Sequence, residues 1–194
     1  MPLTDLSGYD VAFDIAYATP NNFTGQAVYA KPLAYLLTEA LPLFERAIDL
    51  ARPLGFRLKI FDAFRPSEAQ WVLWNHTPDP DFLADPSKGS AHSSGAALDL
   101  TLIDAASGIE LDMGTAFDAF TPRSNHANLE ISVEAQRNRL ILLGLMSAAG
   151  WDFYSKEWWH YQMFDPKRFP VLEDKALGLG MMQSFLPPVL NPDI

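Results

Sequence analysis

Apolar positions recur along this chain with two different periods. Between residues 32 and 53, Leu33, Leu36, Leu37, Ala40, Leu41, Phe44, Ala47 and Ile48 fall at helical spacing, with Gly55 just past the end. This predicts a helix over the span, with Pro42 kinking it or splitting it in two. A second helix is expected over 133–149, stopped by Gly150. Residues 11–17 and 57–64 alternate with period two and predict strands, the latter ending at Arg65-Pro66. Residues 67–74 predict a short helix with Ser67 as its N-cap. The Pro-rich polar run 77–89 reads as a loop, placed where loops form pocket walls. Residues 97–103 predict a strand, Gly108 a hairpin turn, and Ile109 and Leu111 the start of a return strand. Residues 114–130 look irregular, and 151–161 predict a strand or strand–turn–strand. With no internal repeat and no linker, the pattern gives one α+β domain over 1–175 and a Gly/Pro-rich apolar tail over 176–194. That tail either packs on the domain, meets a second subunit in a homo-oligomer, or is disordered.

Composition narrows the class. The chain has 194 residues, 48% of them hydrophobic, enough for a sizeable core. Its formal charge of -10, from 24 acidic against 14 basic residues, argues against a nucleic-acid partner, which needs a basic surface. There is no cysteine, so any metal must be held by His, Asp or Glu. The N-terminal residues Met1 to Leu6 lack a basic region followed by an apolar run, so no signal peptide is expected, and no apolar run is long enough to predict a membrane span. The expectation is a cytoplasmic enzyme.

The chemistry concentrates in Ser90-Ala-His92-Ser-Ser-Gly95-Ala-Ala-Leu-Asp99 and, about sixty residues later, Glu157-Trp-Trp-His160. Two imidazoles and one carboxylate make three ligands for a catalytic zinc ion, with one position open for water and a spare glutamate to take that water's proton. His92 and Asp99 are seven apart, which on a regular strand points them to opposite faces, so Ser93-Ser94-Gly95 must supply a bend. Glu157 shares a face with His160 if their segment is helical; if it is extended, a turn must bring them together. Singly, His92 reads as a loop histidine, Asp99 as a solvated strand carboxylate and Glu157 as a surface glutamate; together they point to a metal site. Arg65, after its strand, is a candidate to stabilise an oxyanion, although composition alone favours a surface salt bridge. Trp158 and Trp159 divide between core and pocket wall. His76 and His126 lack ligand-like spacing and read as polar loop residues.

Ser-x-His-x-x-Gly-x-Ala-x-Asp followed by Glu-x-Trp-His resembles the metallopeptidases of family M15, which cut D-Ala-containing cell-wall peptides. Further segments narrow the resemblance: Tyr17-Ala-Thr-x-x-Asn22-Phe-Thr-Gly25, Asp62-Ala-Phe-Arg65-Pro66, Ala97-Leu-Asp99-Leu-Thr-Leu, Asp112-Met-Gly114-Thr-x-Phe117-Asp118 and Glu157-Trp-Trp-His160-Tyr161. These are similar to the VanX-type D-alanyl-D-alanine dipeptidases, in order, from about residue 9 to 165. Two features depart from that family: Ser93-Ser94 stand where members tend to carry Arg, and the chain from Lys167 onward is longer than the short aromatic ending expected.

The resemblance implies the small α+β fold of the M15 and Hedgehog-type zinc peptidases, with a central antiparallel sheet flanked by helices. It implies that one zinc ion is bound by His92, Asp99 and His160, that Glu157 is the base, and that Arg65 steadies the tetrahedral intermediate. Tyr17, Ser90 and Asp118 fall where the family holds its dipeptide; Asp118 suits the substrate's ammonium by charge and Ser90 can hydrogen-bond the dipeptide. The implied activity is hydrolysis of D-Ala-D-Ala to two D-alanines. The alternatives are a carboxypeptidase or endopeptidase on longer peptidoglycan peptides, a D-X dipeptidase of broader specificity for cell-wall salvage, and a non-catalytic zinc-binding module.

Overall fold

In the computed structural model, which describes residues 2–182, the elements follow in the order β1 (Leu3–Asp5), β2 (Ala12–Phe13), β3 (Tyr35–Leu37), α1 (Leu41–Ala51), β4 (Phe56–Asp62), α2 (Ser67–His76), β5 (Ala97–Asp104), α3 (Val133–Ala149), β6 (Asp152–Phe153), β7 (His160–Gln162) and α4 (Asp174–Leu177). Five strands form one sheet in the order β2-β4-β5-β7-β6, and β1 and β3 form a separate antiparallel pair. The large sheet is antiparallel except at one edge, where β2 runs parallel to β4. That edge departs from the purely antiparallel expectation, because the chain between β2 and β4 crosses over through β3 and α1 instead of turning back directly. β5 lies in the middle, with residues 97–103 all buried, and α1 packs on α3 and β4.

The helix expected over 32–53 is shorter at its N-terminal side. Leu36 and Leu37 belong to β3, where Leu37 pairs with Leu3 of β1, and α1 begins only at Leu41. Helical spacing of leucines cannot exclude a strand when both sides of the segment are buried; Leu36 and Leu37 both are. Pro42 sits in the first turn of α1, where a missing N–H leaves no bond unmade, so it starts the helix and does not kink it. Phe44, Ala47, Ile48 and Ala51 then form its buried stripe. α3 runs over the expected residues: Ser132 Oγ accepts the Ala135 N–H at 3.0 Å, and Gly150, at φ 103°, ends it. Ser67 is the first helical residue of α2 and makes no side-chain cap. After the turn at Gly108 there is no return strand, only a single bridge between Ile103 and Glu110. Beyond 175, Asp174 accepts the N–H groups of Met181 (3.1 Å) and Met182 (2.9 Å), and Met182 bridges to Tyr29. The rest of the expected tail, 183–194, lies outside the described residues.

Candidate metal centre and active site

Strand register assembles the centre. Asp62 on β4 is paired with Asp99 on β5, and Asp99 with His160 on β7, so three polar side chains stand in one row across the sheet. His92 arrives from outside that row. Residues His92–Ser94 make one 3-10 turn that Gly95 closes at φ 73°. A Cβ on Gly95 would lie 3.1 Å from the backbone N of Leu37 and would press on the Leu3 side chain, so crowding adds to the left-handed φ in favouring glycine at this bend.

The three donor atoms form a triangle. His92 Nε2 is 3.2 Å from Asp99 Oδ1 and 3.0 Å from His160 Nδ1, and His160 Nδ1 is 3.1 Å from Asp99 Oδ1. In a four-coordinate zinc site with bonds of about 2.0–2.1 Å, ligand atoms stand about 3.3 Å apart, close to these edges. The opposite ring nitrogens settle the tautomers. His92 Nδ1 lies 2.8 Å from the carbonyl of Ala63, which can only accept, and His160 Nε2 lies 3.1 Å from Gln162 Oε1. Both inner nitrogens therefore present lone pairs beside a carboxylate oxygen, an arrangement that calls for a cation at its centre. The charges agree. Burial works against the Asp99 charge, but the two imidazoles override it and hold its carboxyl well below the usual carboxylate range. Burial likewise opposes the His160 charge, and Asp99 overrides it and raises His160 above the usual histidine value.

Glu157 enters from the turn between β6 and β7 and places Oε2 3.9 Å from His160 Nδ1. Neither a helix nor an extended strand joins Glu157 to His160; a turn does, with the Glu157 N–H on Tyr154 O at 3.2 Å and the His160 N–H on Glu157 O at 3.4 Å. Burial, reinforced by the nearby charges of Asp99 and Asp118, pushes the Glu157 carboxyl up to about 8 against the pull of His160. Arg65 is 5% exposed and is not a surface residue. Its Nε donates to Asp62 Oδ2 at 2.7 Å, Nη2 to Asp99 Oδ2 at 3.1 Å and Nη1 to Gln70 Oε1 at 3.1 Å, and its guanidinium lies 5.0 Å from the centre of the Tyr17 ring.

Arg65, Ser90, His92, Glu157 and His160 line one cavity of about 260 Å³, walled by Pro80 to Ala84 of the Pro-rich loop and by Tyr154. Lys156 is ion-paired to Asp81, and the Tyr154 hydroxyl donates to Asp81 O at 3.1 Å, so that loop is tied to the Glu157 turn. Tyr17 and Asp118 are not in this lining. Tyr17 is 1% exposed; its hydroxyl donates to Asp118 Oδ2 at 2.9 Å. Asp118 faces a different depression, with Asn22 and Phe117, and holds a left-handed backbone, φ 58°, which a non-glycine residue adopts at a cost. Trp158 and Trp159 are both core. His76 ends α2 beside Phe23, and His126 packs on Phe153 with its N–H on Ser155 O, close behind Glu157.

Sequence reasoning gave no part to Asp62, Gln70, Gln162 or Arg139. The first three bond Arg65 or His160 directly. Arg139 had a visible signal: a charged residue on the buried stripe of α3, between Ala135 and Leu142.

Two imidazoles, a carboxylate and a neighbouring buried carboxyl at the wall of a small cavity form the donor set of a mononuclear metal-dependent hydrolase. The sequence relatives are of that class. The family model described as peptidase M15, D-Ala-D-Ala dipeptidase, matches residues 3–177, and the chain belongs to that family of metallopeptidases. It is similar to the D-alanyl-D-alanine dipeptidase of Escherichia coli K12, 39% identical over 166 residues, 86% of each chain. It is also similar to that of Enterococcus faecium, 35% identical over 180 residues covering 81% of this chain and 88% of the relative, and to that of Enterococcus faecalis at 31% identity, covering 81% and 88%. No helix among the described residues is long and apolar enough to cross a membrane.

Proposed function

We propose that this chain is a zinc-dependent dipeptidase that hydrolyses D-Ala-D-Ala to two D-alanines, in a single catalytic domain over residues 1–175. The observation that carries the reading is the 3.0–3.2 Å triangle of His92, Asp99 and His160 donors, with Glu157 3.9 Å from one of them, at the wall of a 260 Å³ cavity. That volume lies just under the range of about 300–1,000 Å³ typical of sites for drug-sized ligands, as suits a dipeptide.

His92, Asp99 and His160 would hold the ion, which when bound would supply Lewis acidity toward the scissile carbonyl and lower the pKa of water to about 7. Glu157 takes the proton of the attacking water and hands it to the leaving amine. Arg65 has three of its N–H groups committed to Asp62, Gln70 and Asp99, which leaves two of its five for the oxyanion. Asp62 and Tyr17 hold that guanidinium in place, one by a hydrogen bond and the other by its ring face. Ser90 hydrogen-bonds the dipeptide from the cavity wall, and Asp118, outside that lining with the Tyr17 hydroxyl on its Oδ2, takes the substrate ammonium once ionised. The cytoplasm, the cell compartment where a free dipeptide from wall synthesis or salvage is met, is the proposed site of action.

A second cavity favours another reading. It has about 440 Å³ and shares Ala84, Ser90, Ala91 and Gln162 with the first, continuing past Lys88, Lys167 and Phe169. A longer peptide could extend into it, which would make the chain a carboxypeptidase. The test is release of free D-alanine by the purified protein, with chelator and with zinc restored, from D-Ala-D-Ala, L-Ala-L-Ala and a pentapeptide ending in D-Ala-D-Ala. Zinc-dependent cleavage of the D,D-dipeptide alone supports the dipeptidase. Equal cleavage of the pentapeptide replaces it with the carboxypeptidase, and zinc binding without any cleavage leaves a binding module.

A further inference from the structure

We propose that Arg139, on α3, is the positioning residue for Glu157, an inference that rests on the reading of Glu157 as the base. Arg139 is 3% exposed and, among the described residues, has no carboxylate at salt-bridge distance. Its partners are chain atoms of one loop. Nε donates to Met113 O at 2.7 Å, Nη1 to Arg123 O at 2.9 Å and Asn125 O at 3.0 Å, and Nη2 to Thr115 Oγ1 at 3.4 Å. A planar fork with five donors can gather three carbonyls and a hydroxyl at once; an ammonium cannot hold the same set in one plane.

The loop gathered in this way grips the Glu157 turn on both sides. The His126 N–H donates to Ser155 O at 2.9 Å, two residues before Glu157. The Trp158 N–H donates to Ser124 O at 3.0 Å, one residue after it. The Trp158 indole Nε1 donates to Thr115 Oγ1 at 2.8 Å, the same hydroxyl that Arg139 touches, and the Arg139 guanidinium lies 5.7 Å from the centre of the Trp158 ring. The turn's own bonds are 3.2 Å and 3.4 Å, so this grip and the Lys156–Asp81 ion pair both help to fix where Glu157 stands. Glu157 itself lies between β6 and β7 and belongs to neither; β5 reaches the segment two residues later, where Trp159 O accepts the Leu100 N–H at 3.1 Å.

The experiment compares Arg139→Met, Arg139→Lys and Thr115→Val with Glu157→Gln. Turnover of D-Ala-D-Ala, zinc affinity by chelator competition, and amide hydrogen exchange at Trp158 and His126 are measured on each zinc-loaded protein. A misplacement of about 1 Å costs about 100-fold in rate, so Arg139→Met should lower kcat by about 10- to 100-fold. Its KM and zinc affinity should stay within about threefold, and both amides should exchange faster, with Arg139→Lys recovering part of the loss. Thr115→Val, which is nearly isosteric, should show the same pattern more weakly and serves if Arg139→Met fails to fold. Unchanged kcat in the Arg139 and Thr115 variants beside an inactive Glu157→Gln would overturn the positioning role alone. Losses of kcat that merely follow zinc loss would overturn it too. Full turnover by Glu157→Gln would remove the base reading and this proposal with it.

Discussion

Arg65 and Arg139 are both buried, yet they do opposite kinds of work. Arg65 lies between the carboxylates of Asp62 and Asp99. Burial works against its charge, but Tyr17, Asp62 and Asp99 outweigh burial and its pKa is raised well above the usual arginine value. Arg139 faces carbonyl oxygens and a hydroxyl, and burial pushes its pKa down to about 10. The first arginine balances charge beside the donor triangle and bonds one of its members, Asp99. The second orders chain, drawing one loop together behind Glu157. A buried cation with carboxylates belongs to the electrostatics of a site, and one with carbonyls belongs to its scaffold.

The comparison is most exposed at Arg65. Arg65→Met leaves Asp62 and Asp99 buried without their cation, so stability should fall by about 3–5 kcal/mol in denaturant melts. Turnover should fall by about 10³ or more and zinc affinity by about 10- to 100-fold, because the group orienting Asp99 is gone. Retained zinc affinity would show that the guanidinium does not set the Asp99 carboxylate.

Arg139→Met removes donors from three carbonyls and should cost about 1–3 kcal/mol in the same melts, with zinc affinity nearly unchanged. If it lowers zinc affinity as Arg65→Met does, the distinction between the two arginines fails.

Asp118 tests the charge side of the comparison by pH. Burial, with the Asp99 charge, pushes its carboxyl up to about 8. The unfolded value is near about 4, so between these values the folded chain keeps a proton that the unfolded chain releases. Stability from this source is complete below about pH 4 and is lost as the pH rises through about 8. In metal-stripped protein, Asp118→Asn should match the parent near the acid end and melt a few degrees higher above about pH 8. A difference that does not vary with pH would mean that Asp118 does not titrate there.

The smallest effect is expected at a third arginine, Arg52. Its 2.8 Å pair with Asp49 is exposed, with side chains 60% and 71% accessible. Arg52→Ala should change stability by no more than about 0.5 kcal/mol and leave activity alone. A larger loss would mean that pairing itself, and not burial, is what separates the arginines.

Much of this molecule is readable from residue order because the signals are local. α3 carries its own stop in Gly150 and its own cap in Ser132, apolar residues alternate with polar ones along β4 and β5, and the Pro-rich loop before His92 does form a cavity wall. The donor types follow from composition and motif, since without cysteine only His, Asp and Glu remain. Tertiary structure decided the rest. Leu36 and Leu37 have helical spacing but become strand because β1 offers them a partner and both are covered. The row Asp62–Asp99–His160 depends on register between strands far apart in sequence, and the lone pairs of the two histidines face inward because Ala63 and Gln162 take their outer nitrogens. Arg139 is an anomaly on an apolar stripe until the carbonyls of Met113, Arg123 and Asn125 surround it. By itself the sequence determined which groups the chemistry has and where α3 begins and stops, because caps, glycines and periodicity act over a few residues. Only the folded chain decided which groups meet and which way their protons point, because pairing partners for a buried polar atom are chosen by packing across the whole molecule.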